Sequence, residues 1–402
     1  MKILVLSPRP PWPPHDGGAV ATLRCIEGLS VNGARVSLLA MRTQKHRSDK
    51  DTETVTQSSL EDYQAVSVDT RVRPIRMLGN LLLSDKPYDI ERFRSHTFLE
   101  ALRTVIATGD FDIIQCEGLV FAPYLREIRK CTSVPVVLRA HNVEHRIREM
   151  MAENSTGRLH RAYLANLARR LRKLETEAAQ RFDAIVPVSE PDCKWFSSVS
   201  SGRPVRLSAT GADVAEFRNE AEGPGLRVGF IGALNWQPNL EGIKWFLAQV
   251  WPCVIRTVPS ATLHIAGRAA PADARKWLRG KNVFFEGEAD DALSFMASVN
   301  VIIAPLFAGS GVRIKIIEAM SIGRTVVATP VAVSGLPVEN RREIIIATDP
   351  GSFCTSLTEV LQDPALRTST GMAAVALVRQ RYNNIALTAD LIEFYKELSH
   401  DR

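Results

Sequence analysis

Residues 305–337, PLFAGSGVRIKIIEAMSIGRTVVATPVAVSGLP, combine the residue types that bind a phosphorylated ligand. An apolar run ends at the start of this segment, and a Gly/Ser loop leads into a helical pattern. The residues of chemical interest there are Ser310, Gly311, Arg313, Lys315 and Glu318. A helix N-terminus and two cations favour an anion, and a carboxylate accepts hydrogen bonds from ribose hydroxyls. The segment therefore predicts a nucleotide diphosphate site; the alternative is a solvated basic helix start with a salt-bridged Glu318.

A second candidate lies in the first loop of the chain, PRPPWPPHDGGAVAT. Gly17 and Gly18 stand between a buried-strand pattern at residues 2–7 and a helical pattern from about Ala19 to Val31. Glycines at such a point let a ligand approach the backbone, and the helix N-terminus favours anions. The loop is not G-x-G-x-x-G and no acidic ribose partner follows it, which disfavours a nicotinamide cofactor. A plain tight turn is the alternative.

A third candidate is His141, which stands where the apolar run VPVVLRAH ends. Strand ends are where an α/β fold presents polar side chains to a ligand. His145 follows four residues later, but the run lacks the H-E-x-x-H order and shows no third ligand, so we expect no metal. A single histidine at a strand end can equally be a polar residue satisfied by its neighbours.

The elements around these candidates alternate between apolar strands and amphipathic helices. A strand–helix–strand unit fills residues 2–41, and the rhythm restarts after a polar, Gly/Pro-containing stretch at about 200–225. This predicts an α/β protein with two doubly wound parallel-sheet domains, whose ligand-binding strand ends face across a cleft. We place the N-terminal domain at 1–205, the C-terminal domain at 206–385, and a helix that crosses back at 386–402.

Composition excludes several classes of protein. The chain has 402 residues, 45% hydrophobic and 23% charged, which is ordinary for a globular protein and argues against disorder. Its six cysteines are widely spaced without a C-x-x-C pair, so we expect buried free thiols in a reducing cytoplasm. The N-terminal apolar run is too short for a signal peptide, and no run is long enough to span a membrane. We expect a soluble or peripheral protein.

The segment GSGVRIKIIEAMSIGRTVVAT resembles the nucleotide-binding motif of glycosyltransferase family 4, the retaining GT-B enzymes. The resemblance extends over nearly the whole chain, through MKILVLSPRPPWPPHDGG, RAHNVEH, FDAIVPVSE, TGADVAEF, FIGALNWQPNLEGIKWF and ATLHIAGR. It implies a GT-B fold with two Rossmann-like domains, the N-terminal one on the acceptor side and the C-terminal one on the donor side.

The resemblance also implies roles for single residues. Glu318 would hold the donor ribose, with Gly17 and Gly18 against the donor phosphates and sugar. His141 would reach the donor sugar near the reacting carbon. Transfer would proceed with retention, from a nucleotide-diphosphate sugar to a glycan or lipid-linked acceptor, without a metal or other cofactor. Cell-surface polysaccharide or glycoconjugate synthesis is the expected setting.

Two departures from the family pattern affect the donor site. Many members have a Glu-x7-Glu pair, but Ser310 stands eight positions before Glu318. Many also have an Arg after the first strand of the C-terminal domain, where this chain has Ala233. We hypothesise that Arg313 and Lys315 supply the missing positive charge and stabilise the departing diphosphate.

A basic helical pattern covers residues 158–181. Tyr163, Leu167, Leu171 and Leu174 form one apolar stripe, and the basic residues on its other faces are Arg161, Arg169, Arg170, Arg172 and Lys173. One interpretation is contact with an anionic membrane or a lipid-diphosphate acceptor. The other is a surface helix whose stripe packs on its own domain. Nucleic acid is disfavoured because no stacking aromatics are interleaved with the basic residues.

Two other functions stay open from the residues alone. A sugar-nucleotide epimerase would use the same cleft but release a free sugar. A non-catalytic protein would bind a nucleotide or glycan in an assembly, and the absence of a glutamate at Ser310 is the main argument for it.

Overall fold

The structure is a computed structural model that describes residues 1–14, 17–44, 59–155, 157–212, 225–278, 280–308 and 313–400. The chain divides into two compact units. Unit 1 comprises Met1–Gly211 together with Asn384–Arg402, and unit 2 comprises Ala212–Asn383. We predicted boundaries after residues 205 and 385, and this division falls after residues 211 and 383.

Unit 1 contains a six-stranded, wholly parallel sheet in the order β3-β2-β1-β4-β5-β6. Its strands are β1 Lys2–Ser7, β2 Arg35–Thr43, β3 Asp62–Val68, β4 Ile113–Glu117, β5 Val136–Ala140 and β6 Ala184–Pro187. Strand β3 pairs with β2 at the edge of the sheet, and we did not predict it from the sequence. Its polar, half-exposed sequence DYQAVSV lacks the apolar run that identifies a buried strand.

Helices cover both faces of this sheet. They are α1 Gly17–Val31, α2 Pro74–Leu83, α3 Tyr88–Glu91, α4 His96–Thr108, α5 Leu125–Cys131, α6 Glu144–Glu153, α7 Arg158–Arg181 and α8 Glu190–Val199, with a 3₁₀ turn at Leu119–Tyr124. Strand β1 shows why helices are needed on both faces of the sheet. Ile3 and Val5 enter one apolar cluster and Leu4 and Leu6 another, because successive side chains point to opposite faces.

Unit 2 repeats the same topology, with a parallel sheet in the order β12-β11-β10-β7-β8-β9. Its strands are β7 Leu226–Ile231, β8 Ala261–Ala266, β9 Val283–Gly287, β10 Val301–Ala304, β11 Thr325–Ala328 and β12 Ile345–Ile346. Its helices are α9 Gln237–Trp245, α10 Trp251–Thr257, α11 Ala274–Trp277, α12 Ala292–Ala297, α13 Ile314–Ser321, α14 Pro350–Gln362 and α15 Pro364–Arg381, with a π-helical segment at Phe246–Val250. In both units the strand order reverses once, at β1/β4 and at β7/β10. Doubly wound sheets bind ligands at the carboxyl ends of the strands at this point.

The last helix, α16 Asn384–His400, packs against α1 within unit 1. The contact is close, because a Cβ atom on Gly28 would lie 2.4 Å from the Thr388 hydroxyl oxygen. Gly211 is equally constrained, since its Cβ would lie 2.4 Å from the Asn384 Cα. Asp213, in the same family motif, lies outside the described residues.

The expectation of free thiols is wrong for one pair of cysteines. Cys253 on α10 and Cys354 on α14 form a disulfide, with their Cα atoms 6.1 Å apart. They are 101 residues apart in sequence, so only the packing of α10 against α14 brings them together. Cys25 and Cys116 are buried free thiols, as expected.

The apolar stripe of α7 belongs to the core of unit 1. Leu167 and Leu171 are buried, and Tyr163 and Leu174 pack against the same cluster. Of the two interpretations of this helix, packing on its own domain accounts for the stripe, and its basic residues Arg169 and Arg172 remain exposed. Within the described ranges, every helix is too short or too polar to span a bilayer.

Candidate active site

In unit 1 the candidate site lies at the carboxyl ends of β4 and β5. Glu117 ends β4, and Arg139 stands opposite it in β5, two residues before His141. His141 Nε2 is 2.6 Å from Glu117 Oε2, and Arg139 donates to the same oxygen at 3.1 Å. Thr22 of α1 donates its hydroxyl to this oxygen as well, at 3.1 Å. One carboxylate therefore joins β4, β5 and the helix that Gly17 and Gly18 begin.

The carboxylate of Glu117 is ionised in the folded protein. Burial by itself would raise its pKa, but Arg139 and His141 outweigh burial and hold the pKa at about 2. Because an ionised carboxylate only accepts hydrogen bonds, His141 Nε2 must carry a hydrogen. The carboxylate thus sets the tautomer and the orientation of the imidazole ring.

A second layer of hydrogen bonds supports Glu117 from behind. Gln115, buried on β4, donates its amide to Glu117 Oε1. Tyr395 of α16 donates its hydroxyl to Gln115 Oε1 at 2.6 Å. The C-terminal helix therefore takes part in holding the polar group at the strand ends. His141 is the more open member of the pair, with 18% of its side chain exposed against 0% for Glu117.

The neighbouring histidine, His145, has a structural contact instead. Its Nδ1 lies 2.6 Å from Glu175 Oε2 on α7, and its ring packs against Trp195. Glu175 also accepts from the backbone N–H groups of Glu144 and His145, so it caps the start of α6. Among the residues that the structure describes, no three His, Cys, Asp or Glu side chains form a group that could hold a metal ion.

In unit 2 the candidate site lies where β7 and β10 end. Lys315, in the first turn of α13, donates to the Ile231 carbonyl at 3.2 Å and to Asn239 Oδ1 at 3.0 Å. Its ammonium lies 4.8 Å from the centre of the Phe230 ring. Burial, and then the charge of Arg313, lower the pKa of Lys315 to about 7.

Asn239 links this lysine to the loop between β7 and α9. The asparagine is buried, and it donates its amide to the carbonyl oxygen of Ala233 at 3.0 Å. The close packing also requires Gly242, because a Cβ atom there would lie 1.8 Å from the Pro305 carbonyl oxygen. Ala233, at the place where many family members have an arginine, therefore belongs to a loop that touches Lys315 through Asn239.

The other two predicted donor residues of α13 flank Lys315. Arg313 is the N-cap of α13, and its guanidinium lies over the Trp236 ring, 5.8 Å from the ring centre. Glu318 follows Lys315 by three residues, so it lies on a neighbouring part of the helix surface, where it is partly exposed. Ser310 and Gly311 lie outside the described residues.

Sequence reasoning missed several residues of these sites, among them Glu117, Asn239 and Trp236. Glu117 ends an apolar strand beside the strand that carries His141, and two polar residues at neighbouring strand ends were the available signal. Asn239 and Trp236 lie in NWQPN, where the proline marks a helix start, but nothing in the sequence indicates their contacts with Lys315 and Arg313.

Comparison with known proteins places the chain in a family. Residues 16–208 match the model described as glycosyl transferase 4-like domain, and residues 225–363 match glycosyl transferases group 1. A Klebsiella pneumoniae protein described as an uncharacterized 44.6 kDa protein in the cps region is 25% identical over 95% of this chain and 97% of its own length. The phosphatidyl-myo-inositol mannosyltransferase of Mycolicibacterium smegmatis is 27% identical over 53% of this chain and 57% of its own length.

Solved structures share the fold at low sequence identity. Sucrose-phosphate synthase from Thermosynechococcus elongatus is 16% identical with a TM-score of 0.74, covering 100% of both chains. Anabaena HepE in complex with UDP-glucose is 15% identical with a TM-score of 0.66, covering 99% of this chain and 100% of its own. Two doubly wound units of this kind are the units of the GT-B fold class. Within that class, the chain belongs to the group 1, family 4-like glycosyltransferases.

Proposed function

We propose that the protein transfers a sugar, with retention, from a nucleotide-diphosphate sugar to a hydroxyl of a glycan or lipid-linked acceptor. The observation that carries the proposal is the grouping of Arg313, Lys315 and Glu318 along the first two turns of α13, beside the ends of β7 and β10. Cations at a helix N-terminus attract a diphosphate, and a carboxylate one turn later accepts the ribose hydroxyls. We assign Ser310 and Gly311 to the same phosphates.

Lys315 is suited to a departing diphosphate because a nearby negative charge can change its protonation state. With a pKa of about 7, part of the lysine population is neutral in the absence of ligand. The negative charge of a diphosphate favours the protonated form of Lys315. The protonated fraction is therefore highest when the leaving group carries its full negative charge. The contacts with Ile231 and Asn239 hold the amine in place meanwhile, because an amine in either protonation state can donate two hydrogen bonds.

In unit 1 we assign His141 to the donor sugar near the reacting carbon, and Gly17 and Gly18 to the donor phosphates and sugar. The bond between the anomeric carbon and the diphosphate oxygen breaks, and the acceptor oxygen bonds to the same face of that carbon. The acceptor's proton leaves with the diphosphate. We assign no enzyme nucleophile and no metal to this reaction, so positioning and charge stabilisation carry the rate enhancement. The support for His141 is its rigid attachment to Glu117.

For the biological setting we propose cell-surface polysaccharide or glycoconjugate synthesis at the cytoplasmic face of a membrane. One support is the Klebsiella pneumoniae relative, whose description places it in the cps region. The other is the exposed basic face of α7, since the cytoplasmic leaflet carries anionic lipids. The donor nucleotide to test first is UDP, because Anabaena HepE holds UDP-glucose on the same fold.

The experiment is a thermal-shift screen of UDP, GDP, ADP and their sugars on the wild type, Glu318→Ala and Glu339→Ala. Glu339 is an exposed matched control outside α13, in the connection before β12. We expect one nucleotide diphosphate to stabilise the wild type and Glu339→Ala but not Glu318→Ala, since a ligand bound only by folded protein raises its stability. Equal thermal shifts in all three proteins would show that Glu318 of α13 does not bind the nucleotide. Release of free sugar in place of transfer would favour the epimerase.

A further inference from the structure

Helix α2 presents its large apolar side chains to solvent. Ile75 is 87% exposed, Leu78 55%, Leu82 72% and Leu83 89%, and every residue of the helix is at least partly exposed. The spacing of Ile75, Leu78 and Leu82 places these three on one face of the helix. Single exposed apolar residues are ordinary in a soluble protein. A continuous stripe of them indicates a surface that binds a membrane or another protein.

The helix is fixed to unit 1 by polar contacts at its two ends. At its start, the backbone N–H of Arg73 donates to the Tyr88 hydroxyl at 3.0 Å. At its end, the guanidinium of Arg170 on α7 donates to the Leu81 carbonyl at 2.7 Å and to the Asn80 carbonyl at 3.1 Å. Because Arg170 is itself buried, α2 has a defined orientation. The polar contacts that hold it are made with its backbone atoms, not with its apolar side chains.

The surroundings of this face are basic. The segment from residue 69 to 86 carries Arg71, Arg73, Arg76 and Lys86 against only two acidic residues, and α2 itself has none. Both acids are already paired: Asp69 with Arg71 at 2.9 Å and with Arg73 at 2.8 Å, and Asp85 with Lys173 of α7 at 2.9 Å. The segment still has more cations than acids, because Asp69 carries one charge against two arginines. Arg169 and Arg172 add exposed positive charge on α7, next in sequence to the Arg170 that holds α2.

We propose that α2 is the membrane-inserting element of this protein and lies in the interface of a bilayer that contains anionic lipid. Ile75, Leu78 and Leu82 enter the boundary between headgroups and acyl chains, while the basic residues around them contact lipid phosphates. The inference deepens the proposed function, because it brings the polypeptide to the surface where a lipid-linked acceptor resides. It also assigns the contact with the apolar part of the bilayer to α2 and not to α7, because the apolar stripe of α7 is buried in its own unit.

A second copy of this chain fits the surface less well than a bilayer does. A two-fold dimer would place the same patch against itself. Arg71, Arg73 and Arg76 would then share one interface with the same three cations of the other copy, and like charges repel each other across a desolvated interface. A bilayer with anionic headgroups complements both the stripe and the rim.

The test is co-sedimentation of the full-length protein with vesicles of phosphatidylcholine alone and of mixed phosphatidylcholine and phosphatidylglycerol. The variant Ile75→Ser/Leu82→Ser removes two inserting side chains from a helix in which no side chain is buried, so unit 1 should stay folded. Val31→Ser is the matched control, because Val31 is 68% exposed at the end of α1 in the same unit. Thermal unfolding is measured on all three proteins, together with the nucleotide shift described above.

We expect the wild type and Val31→Ser to partition onto the anionic vesicles, and Ile75→Ser/Leu82→Ser to partition about tenfold or more weakly. Hydrogen exchange of the amides of residues 74–83 should slow when vesicles are added. Equal partitioning of the three proteins onto anionic vesicles would overturn the proposal. A wild-type protein that does not bind anionic vesicles would also overturn it. A concentration-dependent dimer that the α2 variant abolishes would assign the face to a second copy instead. Loss of nucleotide binding with vesicle binding intact would contradict the proposed function alone.

Discussion

His141 Nε2 and Glu117 Oε2 lie 2.6 Å apart, and His145 Nδ1 lies at the same distance from Glu175 Oε2. The two pairs are alike in chemistry and different in position. The first lies at the carboxyl ends of β4 and β5 with a partly exposed imidazole, and the second is buried between α6 and α7. The second pair therefore provides an internal control for the function of the first.

Glu117→Gln should lower kcat by about a hundredfold, because the amide no longer fixes the hydrogen on His141 Nε2 and the ring loses its orientation. Stability should also fall, by about 3–5 kcal/mol, because Arg139 loses its buried counter-charge. Glu175→Gln should destabilise the fold but leave kcat unchanged. Transfer assays and denaturant unfolding on both variants measure the two effects. Equal kcat values for the two would show that the Glu117 pair is structural.

Tyr395→Phe tests the same network without removing a charge. The variant loses only the hydroxyl that donates to Gln115, at a cost of about 1 kcal/mol or somewhat more. We expect a protein that folds, with a smaller decrease in kcat than Glu117→Gln and an unchanged nucleotide-induced thermal shift. A decrease in nucleotide binding would contradict the assignment of this network to positioning His141.

Binding of a nucleoside diphosphate should be accompanied by proton uptake at pH 8, because the ligand's charge raises the lowered pKa of Lys315. Titration calorimetry in buffers of different ionisation enthalpy measures the uptake. Lys315→Gln should bind more weakly and without this proton, whereas Lys244→Gln, a control that removes a lysine over the Trp277 ring, should retain it. Uptake that persists in Lys315→Gln would assign the proton to another group.

The same lysine predicts the sign of a stability change with pH. Its pKa in the folded protein, about 7, is below its ordinary value of 10.5, so between these values the unfolded chain binds more protons. The contribution of Lys315 to stability therefore rises as pH rises through this window. Subtracting the stability–pH profile of Lys315→Gln from that of the wild type isolates the contribution. A difference that falls with pH would contradict burial of the ammonium.

Reduction of the Cys253–Cys354 disulfide should lower the stability of unit 2 by about 2–4 kcal/mol, because the bond closes a long loop in the unfolded chain. Thermal unfolding with and without dithiothreitol measures this change. The double variant Cys253→Ser/Cys354→Ser should match the reduced wild type and should not respond to the reductant. Identical unfolding of the wild type in both conditions would indicate that the bond does not form in solution.

Much of the architecture is predictable from the sequence because a buried parallel strand is a continuous apolar run. LRVGFIGA, ATLHIAG and VNVIIAP correspond to β7, β8 and β10, and the restart of the strand–helix rhythm indicates a second unit. REIIIAT, at 342–348, likewise contains β12. Edge strand β3 escapes this rule, since an edge strand needs no apolar run on both faces. Helix α13, which we propose binds the donor, is recognisable because Gly, Arg, Lys and Glu are close together in sequence.

Only the tertiary structure decides which residues far apart in the chain contact each other. His141 is visible in the sequence as a polar residue at a strand end, but its partner Glu117 comes from another strand and Tyr395 from the last helix. The stripe of α7 and the stripe of α2 have the same helical periodicity, yet one is buried and the other exposed. Periodicity shows that a helix has an apolar face. Which other surface covers that face depends on how the rest of the chain folds around it.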